Sequence, residues 1–491
     1  MGKRTKSREI FSLKCSIALQ VVIILALVAA ATLASLPVSA SVTAGTASID
    51  SNIPIAAPLN PSFYLYQGQL IKSGIMPSTV DLSYLKGVHI FQADAVFPSK
   101  YDLRALGKVT PVRDQGSSGC CWAFSTYGSL ESTILAAGGK AMDFSENNLK
   151  NTHGFDWGPN SGGNDMMSTA YLARWSGPVN ESLDPYNPAS TTSPSNLPVA
   201  MHVQNVYYIP AKASGSDVSS IKSAIMSYGA VDSTIYYSAT YYKSSTRSYY
   251  VPSGVSYSAN HGITIVGWDD NYSAANFTSR PPGNGAFIVK NSWGKGWGDG
   301  GYFYVSYYDK QFGMATNDRM AIFSGTESAS NYSGIYQYDP LGWIGSYGYG
   351  STTGTGWFKN KYTATSNQNL KAVGFYVPQV NSKYQVYVVN GNTNVTAAAT
   401  SGTITTPGYY TIPLASQVYL TKGTSFTVIV KLTTPGYKYP ISVEYPVSGY
   451  SSKATASAGQ SYISSNGVAW TDTTGIKANM NVCLKAYTVN A

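Results

Sequence analysis

TPVRDQGSSGCCWAFS, running from Thr110 to Ser125, joins a glycine-bracketed loop to the start of an apolar helical pattern. Gly116 and Gly119 frame the loop. Phe124, Tyr127, Leu130, Ile134 and Leu135 then recur at helical spacing, and Gly138-Gly139 supplies a stop. The pattern predicts an amphipathic helix with Cys121 at its N-terminus. Unpaired backbone N–H groups and the positive end of the helix dipole favour thiolate there, lowering a thiol pKa from its free value of about 8.5. A cysteine can instead be a small buried hydrophobe. The flanking residues favour a reactive one.

A reactive thiolate needs a proton carrier. The chain has four histidines, at 89, 153, 202 and 261. Only His261, in NHGITIVGW, opens a strand-like run that would set its ring at a sheet end; His89 lies in the extension, and His153 and His202 read as loop or surface residues. An imidazole in turn needs an orienting partner. In GAFIVKNSWGKGWGDGGYFYVSYYD, residues 286–290 form an apolar strand, Asn291 follows it, and Trp293 can cover the resulting hydrogen bond from water.

These three strings, in this order, resemble the papain-like cysteine peptidases, whose nucleophile lies in a Q-G-x-C-G-S-C-W-A-F string and whose orienting amide lies in N-S-W-G-x-x-W-G. The resemblance spans about residues 97–325. It implies a nucleophilic Cys121, a His261 base, an orienting Asn291 shielded by Trp293, and an oxyanion-hole amide at Gln115. It also implies that the Gly162-Gly163 backbone pairs with extended substrate. Ser118 stands where the family usually has a half-cystine. The usual partner is missing too, because Gly162-Gly163 is preceded by Asn160-Ser161. Cys120 holds a small-residue position; it is read as a space filler pointing away from the site, with a vicinal disulfide to Cys121 as the competing reading.

The rest of the 491 residues is organised around that domain. Residues 1–40 combine a basic head, an apolar run from Ile17 to Leu36 and the small-residue site Val38-Ser39-Ala40, the pattern of a cleaved secretory signal peptide. A membrane contact is expected only if this segment stays uncleaved. Residues 41–95 form a proline-interrupted extension in the place of a prosegment, and Phe97-Pro98 through Arg104 resembles a mature N-terminus. Residues 96–325 are the peptidase domain. From residue 330 to 491 short apolar runs such as AVGFYV, YQVYVV and SFTVIV alternate with turn signals, which predicts an antiparallel β-sandwich that folds separately from the peptidase. This arrangement resembles a bacterial and archaeal branch of the family with a C-terminal lectin-like domain. The overall expectation is therefore α+β: a two-lobed papain-like domain, helical lobe plus β-barrel-like lobe, followed by a β-sandwich.

Charge narrows the partners. The net charge is +9, but the first forty residues hold +4 of it and the other 451 hold +5. With no Lys/Arg cluster there, no groove-reading motif and no basic stripe, no nucleic-acid partner is expected. The four cysteines make neither a disulfide framework nor paired metal sites, so no metal or cofactor is expected. The expected activity is an exported, secreted or cell-surface cysteine endopeptidase acting on protein or peptide substrates through a thioester intermediate. A cell-wall amidase or transpeptidase with the same triad, and an adhesin-like surface-binding protein with a retired peptidase domain, are the competing readings. Cell-surface or carbohydrate contact is assigned to the C-terminal domain. Its Trp343, Trp357 and Trp470 are read first as core residues, with sugar stacking as the competing use.

Overall fold

The computed structural model describes residues 52–67, 74–91, 96–255, 258–314, 320–350, 353–391 and 398–491. The expected signal peptide, residues 1–40, lies outside the described residues, as do residues 41–51, 68–73 and 92–95 of the extension. No helix among the described residues is long and apolar enough to cross a membrane.

The longer helices among the described residues gather in the first half of the chain: α1 (Pro61–Gln67), α2 (Cys121–Ala136), α3 (Glu146–Thr152), α4 (Asp165–Ala173) and α5 (Ser219–Tyr228). Polar caps start two of them. Ser145 Oγ accepts from Asn148 N at α3, and Asn164 Oδ1 accepts from Met167 N at α4, each followed by an acid in the first turn. The helix α2 is less one-sided than its sequence pattern suggests. It is buried on nearly every face, and its hydroxyls are absorbed by backbone carbonyls: Ser129 Oγ donates to Ala230 O at 2.8 Å, Ser132 Oγ to Lys108 O at 2.7 Å and Thr133 Oγ1 to Phe323 O at 2.7 Å. Helix–strand packing on one side and helix–helix packing on the other explain why Ser and Thr replace the polar face that the apolar spacing alone would predict.

The main strands are β1 (Met201–Ile209), β2 (Val231–Ile235), β3 (His261–Asp269), β4 (Ala286–Lys290), β5 (Tyr302–Ser306), β6 (Met320–Ser328), β7 (Thr355–Thr363), β8 (Gln368–Val377), β9 (Ser382–Asn390), β10 (Gly408–Leu420), β11 (Ser425–Thr433), β12 (Ile441–Glu444), β13 (Ser461–Ser464) and β14 (Leu484–Asn490). Among the described residues the strands β14-β8-β10-β1-β6-β2-β3-β4-β5 are neighbours, in that order, in one sheet. A second sheet, with β9-β11-β7-β13 at its centre, faces the β8 region of the first and completes the expected sandwich; Phe358 meets Phe375 edge-on across it at 6.3 Å.

The expectation that residues from about 330 onward fold separately is corrected here. The strand β10 pairs with β1, Gly408 opposite Tyr207 and Tyr410 opposite Asn205, so the large sheet runs from one domain into the other. The hydrophobic core does the same: Tyr208 and Val206 belong to one buried cluster with Trp343, Tyr376 and Tyr409. Tyr208 lies 6.4 Å from Trp343, and Trp175 stacks on Tyr487 at 5.3 Å. Strand pairing between residues two hundred apart leaves no local sequence signal, which is why alternation alone reads as two modules.

The extension is also built into the C-terminal domain. Ile55-Ala56 adds a strand to the edge of Gly345–Gly348, in a small sheet that includes β12. Phe63 of α1 meets Tyr450 at 5.4 Å, Thr79 Oγ1 donates to Ile344 O at 2.7 Å, and Tyr84 stacks on Tyr437 at 4.2 Å while its hydroxyl donates to Pro378 O at 2.5 Å. Between these anchors, residues 74–76 cross toward the start of α2.

Candidate active site

Cys121 is the first residue of α2, with Cys120 as its N-cap, so the loop from Thr110 delivers the sulfur to the end of β3. The Gly262 N–H donates to Cys121 Sγ at 3.1 Å. Glycine at 262 suits this close approach: a Cβ there would lie 3.0 Å from the Cys121 carbonyl carbon and oxygen. His261, the first residue of β3, therefore stands beside the sulfur. Its Nε2 lies 2.7 Å from Asn291 Oδ1, at the end of β4. With Oδ1 as acceptor, Nε2 carries the hydrogen and Nδ1 keeps its lone pair for a proton from elsewhere. Asn291 Oδ1 also accepts from Ser292 N at 2.8 Å, which fixes the amide's orientation, and its Nδ2 is buried without a partner among the described residues.

Trp293 stacks on the His261 ring at 4.5 Å and is itself met edge-on by Trp297 at 5.0 Å and Tyr237 at 4.7 Å. This aromatic wall excludes water from the imidazole–amide bond. Gln115 is pinned from both sides: its Nε2 donates to Ser118 O at 2.8 Å and its Oε1 accepts from Ser292 Oγ at 2.7 Å. The missing disulfide has a polar replacement, Ser118 Oγ donating to Asn160 Oδ1 at 2.6 Å beside a Gly119–Ser161 bridge. Cys120 Sγ turns to the Tyr186 hydroxyl at 3.1 Å, and the thiols of Cys120, Cys121 and Cys483 are free and buried.

The cleft is covered. Ile75 forms a parallel bridge with Gly163; Met76 N donates to Gly163 O at 2.9 Å and Gly163 N to Gly74 O at 3.4 Å, while Gly74 N donates to Asn260 O at 3.1 Å. Gly74 lies directly on the sulfur, since a Cβ on it would come 2.5 Å from Cys121 Sγ. Burial under this cover reverses the electrostatic expectation. The Cys121 thiol is pushed up to about 12, desolvation outweighing the Gly262 hydrogen bond. Burial likewise holds His261 down to about 4, against the opposing pull of Asn291. Under the cover, burial therefore opposes the helix dipole at the sulfur and disfavours charge on both groups.

Gln115, Cys121, His261, Asn291, Gly163 and Trp293 thus converge on one site, with Gly162 next to it at a positive φ of 96°. Sequence reasoning missed Tyr237, Tyr186 and Ser292, whose aromatic and hydroxyl groups brace Trp293 and Gln115. Only the N-S-W string hinted at Ser292. It also missed Gly74, which sits in a stretch without periodicity.

Curated relatives match the peptidase part of this chain, and a solved structure matches both domains. A family model of papain family cysteine proteases matches residues 97–322, and one of lectin like domains matches residues 335–488. A cathepsin L-like peptidase of Aedes aegypti is 32% identical over 245 residues, covering 47% of this chain and 68% of that protein. The chain belongs to the papain family of cysteine proteases. Pro-cathepsin H of Mus musculus is 30% identical over 256 residues, 48% of this chain and 67% of the relative. Among solved structures, the cysteine protease and lectin-like domains of Cwp84, a surface layer associated protein of Clostridium difficile, superpose with a TM-score of 0.76 at 27% identity, covering 90% of this chain and 99% of that one. This papain-family chain is therefore a cysteine-type peptidase with a papain-like α+β domain and a C-terminal lectin-like β domain.

Proposed function

We propose that the chain is an exported endopeptidase working through Cys121, His261 and Asn291, and that the covered cleft is its inactive precursor form. The single observation that carries the reading is the hydrogen-bonded line from Asn291 Oδ1 through the His261 ring, at the strand end where Gly262 N–H holds Cys121 Sγ. Once the cover is gone, His261 Nδ1 takes the thiol proton and the sulfur attacks the substrate carbonyl. The oxyanion accepts hydrogen bonds from Gln115 Nε2 and the Cys121 backbone N–H. Collapse of this intermediate breaks the C–N bond, and His261 returns the proton to the leaving amine. Water then adds to the thioester by the same route in reverse.

Over residues 74–76 the extension blocks this sequence by occupying the cleft. Gly74 O is occupied by Gly163 N–H rather than presented to Gln115. Removal of the residues ahead of Phe97 would open the cleft. Export rests on the N-terminal pattern, and peptide substrates on the papain-family relatives. The test is labelling of the processed enzyme with an epoxysuccinyl thiol-protease inhibitor followed by peptide mapping. The label is expected on Cys121 and absent from Cys121→Ala; a label elsewhere, with peptidase activity retained by Cys121→Ala, would refute the assignment.

A further inference from the structure

The modest overall charge hides a strong asymmetry. Residues 330–491 hold ten lysines, no arginine and three carboxylates, a net of +7, whereas residues 41–329 sum to −2. Two of those carboxylates, Asp339 and Glu444, are buried, and the third, Asp472, accepts from Gly459 N and Thr474 N. No Asp or Glu occurs anywhere from residue 340 to residue 443.

Strand pairing gathers part of this charge on one face. In β7, Phe358, Asn360 and Tyr362 point into the core, so Trp357, Lys359 and Lys361 point outward. Register sets Lys431 of β11 beside Trp357, and Tyr462 of β13 beside Lys359. The basic stripe absent from the linear sequence is thus made by the sheet. Its lysines are held by rings rather than carboxylates: Lys359 Nζ lies 4.1 Å from the Trp470 centroid and 5.0 Å from that of Tyr462, and Lys431 Nζ lies 5.3 Å from that of Trp357. Among the described residues no ion pair engages Lys359, Lys361 or Lys431. Partial burial and the neighbouring Lys361 pull the Lys359 ammonium below its usual value, the signature of a cation lacking an anion.

Beside these ammonium groups runs a groove of about 670 Å³, lined by Lys359, Lys361, Thr424, Ser425, Thr427 and Tyr462. That volume suits a small ligand or a few units of a polymer. Its lining pairs positive charge with hydroxyl groups, and Trp343 is core as expected while Trp357 and Trp470 are half-buried on this face.

We propose that this outer sheet face binds a linear anionic polysaccharide, its acidic groups on Lys359, Lys361 and Lys431 and its ring hydroxyls on Thr424, Ser425 and Thr427. Two cations two residues apart on a strand stand about 6.8 Å from each other, a spacing that engages successive charges of a polymer rather than one. A single-stranded nucleic acid would need free aromatic faces for its bases. Here Lys359 covers Trp470, which favours the acidic sugar.

The site is remote in kind from the peptidase chemistry, so the full-length Cys121→Ala chain serves for the test. Affinity electrophoresis through polygalacturonate is expected to retard it, whereas fully methyl-esterified polygalacturonate and dextran are not. Lys359→Gln with Lys361→Gln should weaken binding by roughly tenfold or more, as expected for two charge-assisted contacts. Lys359→Arg with Lys361→Arg should retain it. Lys371→Gln with Lys453→Gln removes the same charge elsewhere in the domain and should change binding by less than about twofold, since screened distant charges act weakly. Should the double Gln variant misfold, the exposed Lys361→Gln change alone is expected to weaken binding measurably. Absence of retardation, equal losses in the two Gln pairs, equal binding of the methyl ester, or tighter binding of oligothymidylate would each overturn the proposal.

Discussion

Substituting Gly74 by leucine tests whether the extension is what silences Cys121. A Cβ at this position meets Sγ at 2.5 Å and Asn260 O at 3.3 Å, so leucine cannot enter without moving the short, hydrogen-bonded cysteine or the backbone. Overpacking of this kind costs about 1–3 kcal/mol. The strain exists only while residues 74–76 occupy the cleft, so it weakens the cover by about 5- to 150-fold. The assay is the initial rate at which an epoxysuccinyl inhibitor labels Cys121 in the uncut precursor, read by intact-mass spectrometry before processing begins. The Gly74→Leu precursor should label faster by that factor, while the processed forms, once the cut extension has been separated from them, label at the same rate. Equal precursor rates would mean that the contact between Gly74 and the sulfur does not limit access.

Acidification should loosen the same cover. His261 is held at about 4 when covered, against an ordinary value of about 6.5, so the open form binds more protons in between; stabilisation of the cover is present above about 6.5 and lost as pH falls toward 4. Amide exchange at residues 74–76, corrected for intrinsic rates, should accelerate across that window; constant protection would contradict the linkage. In the processed enzyme, Gln115→Ala should lower kcat/KM by roughly ten- to a thousandfold through loss of an oxyanion donor, whereas Asn291→Ala should leave residual activity because it orients rather than reacts. Equal activity with the parent would remove either role. A chain ending at residue 329 should fail to fold cooperatively. It loses the β10–β1 pairing and uncovers Tyr207, Tyr208 and Trp175, worth about 1.5–3 kcal/mol each, which approaches the whole reserve of a typical domain at about 5–15 kcal/mol. A soluble, active fragment with a sharp unfolding transition would refute this.

The chemistry was more legible in the sequence than the assembly. Cys121, His261 and Asn291 each sit at the end of a strongly patterned element, so local periodicity placed all three within one plausible geometry. The sandwich was legible from alternation alone. Its fusion to the peptidase was not, because nothing in GYYTIPL specifies Met201–Ile209 as a neighbour rather than solvent. The burial of the thiol was not legible for a related reason. A helix N-terminus is a local property, whereas the burial that opposes it includes a cover from Gly74, in a segment too irregular to place. The charged face escaped notice because Lys431 lies on a different strand from Lys359 and Lys361 and joins them only through register.

The way the extension is fastened has a consequence for how activity appears in time. Ile55-Ala56 and Tyr84 grip the C-terminal domain on either side of the residues that cross the cleft. A cut ahead of Phe97 therefore changes the extension from a part of the chain into a bound ligand, without by itself removing it. From that moment occupancy follows mass action: the nicked protein stays silent where its two pieces are concentrated and becomes active on dilution, or when a second cut breaks the link between the two grips.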